Sequence, residues 1–258
     1  MSRILLFALG ALVALLAIDQ VRKLRPARVA AADARPAAVR AAPAPSRPSA
    51  SSLAAVEVAA PSAVDMMARA EGRRLLRRSV GITYVDSLFL ETDSTVRRWR
   101  DLRDGPLMVA FASSGDPEVD SRLQAIASRA IHAWQEIAPG LRLLVAADTT
   151  GAAILFQTVD RLDADRAGQT DLRWTRDGAI HAAVITVALL AGDSSRVIDE
   201  GIFAVTSHEL GHALGLPHSA DSLDVMFPTT RTGYPTERDA RSIRLLYELP
   251  LGSVKELP

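Results

Sequence analysis

Cysteine is absent from the 258 residues. Disulfides are therefore excluded, and the redox state of the compartment cannot be read from them. Lysine is nearly absent as well: of 30 basic residues only Lys23 and Lys255 are lysine. Acidic residues also number 30, so the formal net charge is zero and no general attraction to nucleic acid follows. The excess of arginine and alanine reads as compositional bias. No internal repeat is evident. Histidine is scarce, with five in the chain, and three of these fall within eleven residues.

The N-terminus has the one long apolar run. Arg3 precedes an uncharged stretch from Ile4 to Ile18. As a helix it would span about 22 Å, short of the ~30 Å hydrocarbon core but suited to a signal segment. No small-residue cleavage site follows closely, so residues 1–25 read as a signal or an uncleaved signal anchor. Basic residues after the run (Arg22, Lys23, Arg25) favour keeping that flank inside. Export is nevertheless the expectation, with the catalytic part secreted or membrane-anchored outside the cytoplasm. Residues 26–61 are rich in Ala, Pro, Ser and Arg and poor in large apolar side chains, which predicts a disordered linker. Residues 62–94 read as a short N-terminal extension or a vestigial propeptide. A helix is expected over Ala63–Arg78, with Met66, Met67, Leu75 and Leu76 as its apolar residues.

The densest chemistry lies at His208–His218, which reads H-E-L-G-H-A-L-G-L-P-H. On a helix of 3.6 residues per turn, His208 and His212 lie one above the other and can present two imidazoles to one metal ion. Glu209 then points beside the metal, where it can hold and deprotonate a water. Gly215 can leave helical geometry, and Pro217 prevents simple continuation of the helix. The turn can carry His218 round as a third ligand. Three neutral imidazoles with one open position is the arrangement of catalytic zinc, whereas structural zinc usually has four protein ligands.

These residues resemble the metzincin family of zinc endopeptidases and, within it, the matrixins. Ser219 follows the third histidine as in matrixins. Asp221-Ser222-Leu223-Asp224-Val225-Met226-Phe227-Pro228 matches the matrixin methionine turn, with Phe227 in place of the commoner tyrosine. The resemblance implies Met226 in a tight turn beneath the histidines. It also implies one catalytic zinc on His208, His212 and His218, with Glu209 as general base. Without cysteine, the thiol latch of many matrixin propeptides is ruled out. No cluster suggests a second, structural zinc. Calcium on Asp160, Asp163, Asp165, Asp171 and Asp177 is conceivable by chemistry, but their spacing matches no calcium loop.

The fold implied is α+β, a metzincin-like zinc protease fold with a twisted, mostly parallel sheet of about five strands and three helices. The catalytic domain is placed at 95–258. Strands are expected at Pro106–Ala112, Leu141–Ala146, Ala152–Thr158 and Ala179–Leu190. A short edge strand should begin at Ala167-Gly168-Gln169-Thr170. Asp116-Pro117 should start a helix whose apolar stripe is Val119, Leu123, Ile126, Ala130, Trp134 and Ile137. The motif helix is expected from about Arg196 to Leu214. A last helix should begin at Thr236 in a capping-box variant with Asp239. His132 and His181 have no spaced partners and read as ordinary surface and strand residues.

Function follows as zinc-dependent endopeptidase action on a protein or peptide substrate, by a monomer with no nucleic-acid partner. An uncleaved N-terminal segment would add a membrane contact. Two other readings stand beside it: a non-catalytic zinc-binding module, and a membrane-tethered interaction protein with an inactive protease domain.

Overall fold

A computed structural model describes residues 61–100, 105–138, 140–190, 195 and 197–255. The apolar run at Ile4–Ile18 and the linker through residue 60 lie outside the described residues. Among those described, no helix is long and apolar enough to cross a membrane.

Helix α1 (Ala63–Ser79) opens with a reciprocal cap. The Ser62 hydroxyl accepts from the Asp65 N–H, and the Asp65 carboxylate accepts from the Ser62 N–H at 3.0 Å. Its inward face is Gly72, Leu76 and Ser79. Met66 and Met67, two of its apolar residues, are exposed. They lie at the outer end of the helix, away from the turn that meets the core through Leu76. A short helix α2 (Leu88–Glu91) follows, with Leu88 buried. Two-residue strands β1 (Thr95–Val96) and β2 (Arg98–Trp99) come next.

Strand β3 (Leu107–Phe111) leads into helix α3 (Pro117–Ile137). Asp116 caps α3 by accepting from the N–H groups of Glu118 and Val119, and Pro117 occupies the first turn. The predicted stripe is the buried face over its middle: Leu123, Ile126, Ala130 and Trp134 lie inside, while Val119 and Ile137 at its ends are half-buried. Strands β4 (Leu143–Val145), β5 (Ile154–Val159), β6 (Gly168–Trp174) and β7 (Ala179–Ala188) complete the main sheet. Helix α4 (Asp199–Ala213), helix α5 (Glu237–Glu248) and strand β8 (Gly252–Ser253) follow.

The main sheet has the order β2-β7-β5-β3-β4, and β6 also pairs with β7, off this path. Pairings are parallel except β6 with β7, which is antiparallel over Gly168–Trp174. Parallel β3 and β4 need a crossover, which α3 supplies. Strand β1 pairs with β8 in a separate two-stranded ribbon. Helices α3 and α4 pack together, and α4 lies against β6 and β7. One core joins Leu76, Tyr84 and Leu88 from the first segment to Trp134, Phe156, Phe203, Leu210 and Met226.

The α+β, mostly parallel architecture stands as expected. Its main sheet has six strands against about five, and five helices are described against three. The additions are short pairings around Thr95–Trp99 and Gly252–Ser253, too brief to show a period, together with α2; α1 is the helix expected over Ala63–Arg78, outside the three of the catalytic domain. The motif helix begins at Asp199, not near Arg196, because Ile198 is extended at φ −70° and ψ 158°.

Candidate active site

Helix α4 is unusually buried for one carrying polar side chains: Thr206, Ser207, His208 and Glu209 are all buried. Its first turn is tied to α3 by Arg122–Asp199 and by Arg129–Glu200 at 3.0 Å. Its last turn is closed by a double hydrogen bond. The Leu216 N–H reaches the Gly211 carbonyl at 3.0 Å, and the Gly215 N–H reaches the His212 carbonyl at 2.9 Å. This pair is the Schellman closure, and it needs a left-handed residue, which Gly215 supplies at φ +99°. A Cβ there would also stand 2.3 Å from the Arg97 carbonyl oxygen. Two orphan carbonyls at the helix end are taken by aromatic donors. Trp99 Nε1–H donates to Ala213 O at 2.9 Å, and the Tyr247 hydroxyl donates to Leu214 O at 3.0 Å. The bend so held brings His218 back beside the helix.

The three imidazoles then converge. Nε2 of His212 lies 3.1 Å from Nε2 of His208 and 3.2 Å from Nε2 of His218. Each Nδ1 faces outward to an acceptor. His208 Nδ1 meets the Val225 carbonyl at 2.8 Å, and His212 Nδ1 meets the Leu216 carbonyl at 2.8 Å. His218 Nδ1 meets a Glu91 carboxylate oxygen at 3.2 Å. Acceptors of this kind require the proton on Nδ1, which leaves all three Nε2 lone pairs aimed inward. Zinc–nitrogen bonds of ~2.0–2.1 Å in a tetrahedral array place the nitrogens about 3.3 Å apart, so the trio fits zinc. Burial first, and the neighbouring imidazoles second, push the His212 pKa down to about 3, which keeps the ring neutral. Among the described residues this is the one cluster of three metal-ligating side chains. His132 and His181 stand apart from it: His132 lies near Glu136 on α3, and His181 near the Arg173 carbonyl on β7. No calcium site is shown.

Glu209 is buried beside the trio. The Thr170 hydroxyl lies within hydrogen-bond distance of both its carboxylate, at 2.7 Å, and its backbone carbonyl, at 2.9 Å. Burial pushes the Glu209 carboxyl up to about 7, against the lowering effect of Thr170. Around the group opens a cleft of about 660 Å³. One wall is the start of β6 (Ala167, Gly168, Gln169, Thr170), and the other runs from Pro228 to Arg231. The histidines and Glu209 form its floor.

Beneath the floor, Met226 is fully buried and takes the space that a side chain on Gly211 would need: a Cβ there would stand 2.3 Å from the Met226 sulfur. Two buried carboxylates brace the turn. Asp239 accepts from the Val225 N–H at 3.1 Å, from the Thr236 N–H at 2.7 Å and from the Tyr84 hydroxyl at 2.7 Å. Asp224 accepts from Ser219 and from the Thr236 hydroxyl. The capping box predicted at Thr236 is therefore also a brace for the methionine turn.

Three contributors were not visible in the sequence reading. In the sequence Thr170 and Gly168 mark only the start of an edge strand. Glu91 lies 127 residues before His218, and no spacing could have marked it.

Residues 160–248 match the family model described as Matrixin. No curated protein matches the chain. The matched stretch runs from the residues before β6 to the end of α5 and contains Glu209 and the three converging imidazoles. It supports a zinc metallopeptidase that acts on protein or peptide substrates. Residues 160–248 are thus similar to matrixins, and the histidine trio spaced for zinc lies inside that stretch.

Proposed function

We propose that the protein is a zinc endopeptidase in which His208, His212 and His218 hold the metal and Glu209 is the general base. The observation that carries this reading is the placement of Glu209. A merely structural site has no use for a buried carboxylate beside three convergent imidazoles and open to a cleft. Zinc, when bound there, supplies a Lewis acid that activates water and polarises a carbonyl.

The chain's own residues do the rest. The three imidazoles keep Nε2 turned toward the metal position, because each Nδ1–H is committed to an acceptor. A peptide lying in the cleft adds as an antiparallel strand to β6, whose second edge has no partner strand among the described residues. The Glu209 carboxylate takes a proton from the attacking water and delivers it to the leaving amine nitrogen. In the metal-free site burial raises the Glu209 carboxyl, which favours its holding a proton between the two transfers. Thr170 holds the carboxylate in line, and the resemblance to matrixins implies that Thr229–Tyr234 wall the space for the residue after the cleaved bond, of which Thr229, Thr230 and Arg231 line the cleft. We place this activity outside the cytoplasm and assign it to a monomer, on the strength of the Ile4–Ile18 run and the habit of the resembled enzymes.

The test is zinc content together with cleavage of a mixed peptide library, for the full chain and for Glu209→Gln. One zinc in both and hydrolysis only in the unmutated chain is expected. Hydrolysis retained in the zinc-loaded variant would remove Glu209 from the mechanism.

A further inference from the structure

Every convergent histidine has an outer partner, and the partners differ in kind. His208 and His212 are oriented by backbone carbonyls of nearby turns. His218, beyond the bend, is oriented by a charged side chain from a remote segment. Both Glu91 carboxylate oxygens lie 3.2 Å from the His218 backbone N–H, and Oε2 also lies 3.2 Å from Nδ1. Glu91 thus grips the ligand residue by its main chain and its ring together. It approaches from the Nδ1 side, opposite the Nε2 that faces the trio, so it supports the ligand and does not block the site.

Glu91 is itself anchored. Leu88, one turn earlier, is buried in the main core. The Thr92 hydroxyl bridges the carbonyls of Leu88 and Thr95. The Ser94 N–H returns to the Leu88 carbonyl, and the Ser94 carbonyl accepts from Val254 N–H. Further back, Tyr84 is fastened to Asp239. This segment precedes β1, and it lies outside the stretch that matches the matrixin model.

We propose that Glu91 is a positioning residue for His218, and that residues 62–94 are a permanent part of the metal centre. The proposal rests on the ligand assignment above. An Nδ1–H to carboxylate contact fixes the tautomer and the ring plane and makes Nε2 a stronger donor. It also puts one negative charge behind a site meant for a dication. Loss of such an outer partner typically weakens metal binding about 10- to 100-fold. Glu91 and His218 are each partly open to solvent, at 34% and 40% of side-chain surface, which favours the lower part of that range.

The experiment compares the full chain with Glu91→Gln and Glu91→Ala. Zinc affinity is read by competition with a chelator, the ligand field by the visible spectrum of the cobalt-substituted protein, and the fold by melting of the metal-free form. The expected result is zinc binding at least about tenfold weaker in Glu91→Ala. Glu91→Gln, which keeps an acceptor oxygen but no charge, should fall between. The cobalt bands should move in both variants while metal-free Glu91→Gln melts as the unmutated chain does. Affinity within twofold of the unmutated chain in both variants, with unshifted cobalt bands, would overturn the proposal and leave the ligand assignment standing. Failure of the unmutated chain to bind zinc would overturn the ligand assignment, and the proposal with it. A purely structural role would lower the melting of both variants and leave the cobalt bands in place, which also overturns it.

Discussion

The Cβ that Gly168 lacks would stand 2.6 Å from Oε1 of Glu209. The first residue of the edge strand therefore leaves the volume in which the carboxylate sits, and the same Cβ would meet Val205 at 2.6 Å. Gly168→Ala should push Glu209 off its position without touching a metal ligand. Since a misplacement of about 1 Å can cost about 10²-fold in rate, kcat/KM should fall by about that factor with one zinc still bound. Peptidase assay and metal analysis of the same sample check this. Full activity in Gly168→Ala would contradict the close approach.

Thr170 acts on the same carboxylate by a hydrogen bond. Its hydroxyl favours the ionised form and so opposes the upward push of burial. Thr170→Val removes the donor at nearly constant size. The base form of Glu209 then appears only at higher pH, and the acid limb of the kcat/KM profile should move to higher pH. A limb that stays in place would show that another group sets it.

The metal-free protein carries two opposed pH trends. His212 is depressed from 6.5 to about 3, so its contribution to stability is present above pH 6.5 and is lost as pH falls toward 3. Glu209 is raised from 4.5 to about 7, so its contribution is present below pH 4.5 and is lost as pH rises toward 7. Glu209→Gln is neutral at every pH. It should stabilise the metal-free protein above pH 7, by on the order of 2 kcal/mol, and change little near pH 4.5. Thermal melts with chelator present at the two pH values decide this. Equal melting above pH 7 would mean that the carboxyl is not penalised by its surroundings.

What could be read in the sequence was what is local. His208, Glu209, His212, Gly215 and His218 belong to one helix and one turn, so spacing alone places them. The α3 stripe from Leu123 to Trp134 is periodic for the same reason, and the Thr236–Asp239 cap lies within four residues. What could not be read depends on chain reversal. Thr170 reaches Glu209 only because β6 pairs with β7 and α4 packs across both. Tyr84 reaches Asp239, and Glu91 reaches His218, across more than a hundred residues. Met66 and Met67 are apolar yet exposed, because α1 meets the core only through its second half, at Leu76.

The brace beneath the histidines also orders events in time. The His208 ring is held by the carbonyl of Val225, whose N–H is held by Asp239, which also receives the Tyr84 hydroxyl. A ribosome makes the three histidines before it makes Asp239. Until α5 has been synthesised and has docked, the imidazoles exist but the turn that fixes His208 has no anchor. The histidine site proposed above is therefore complete only after the chain has been made past Asp239.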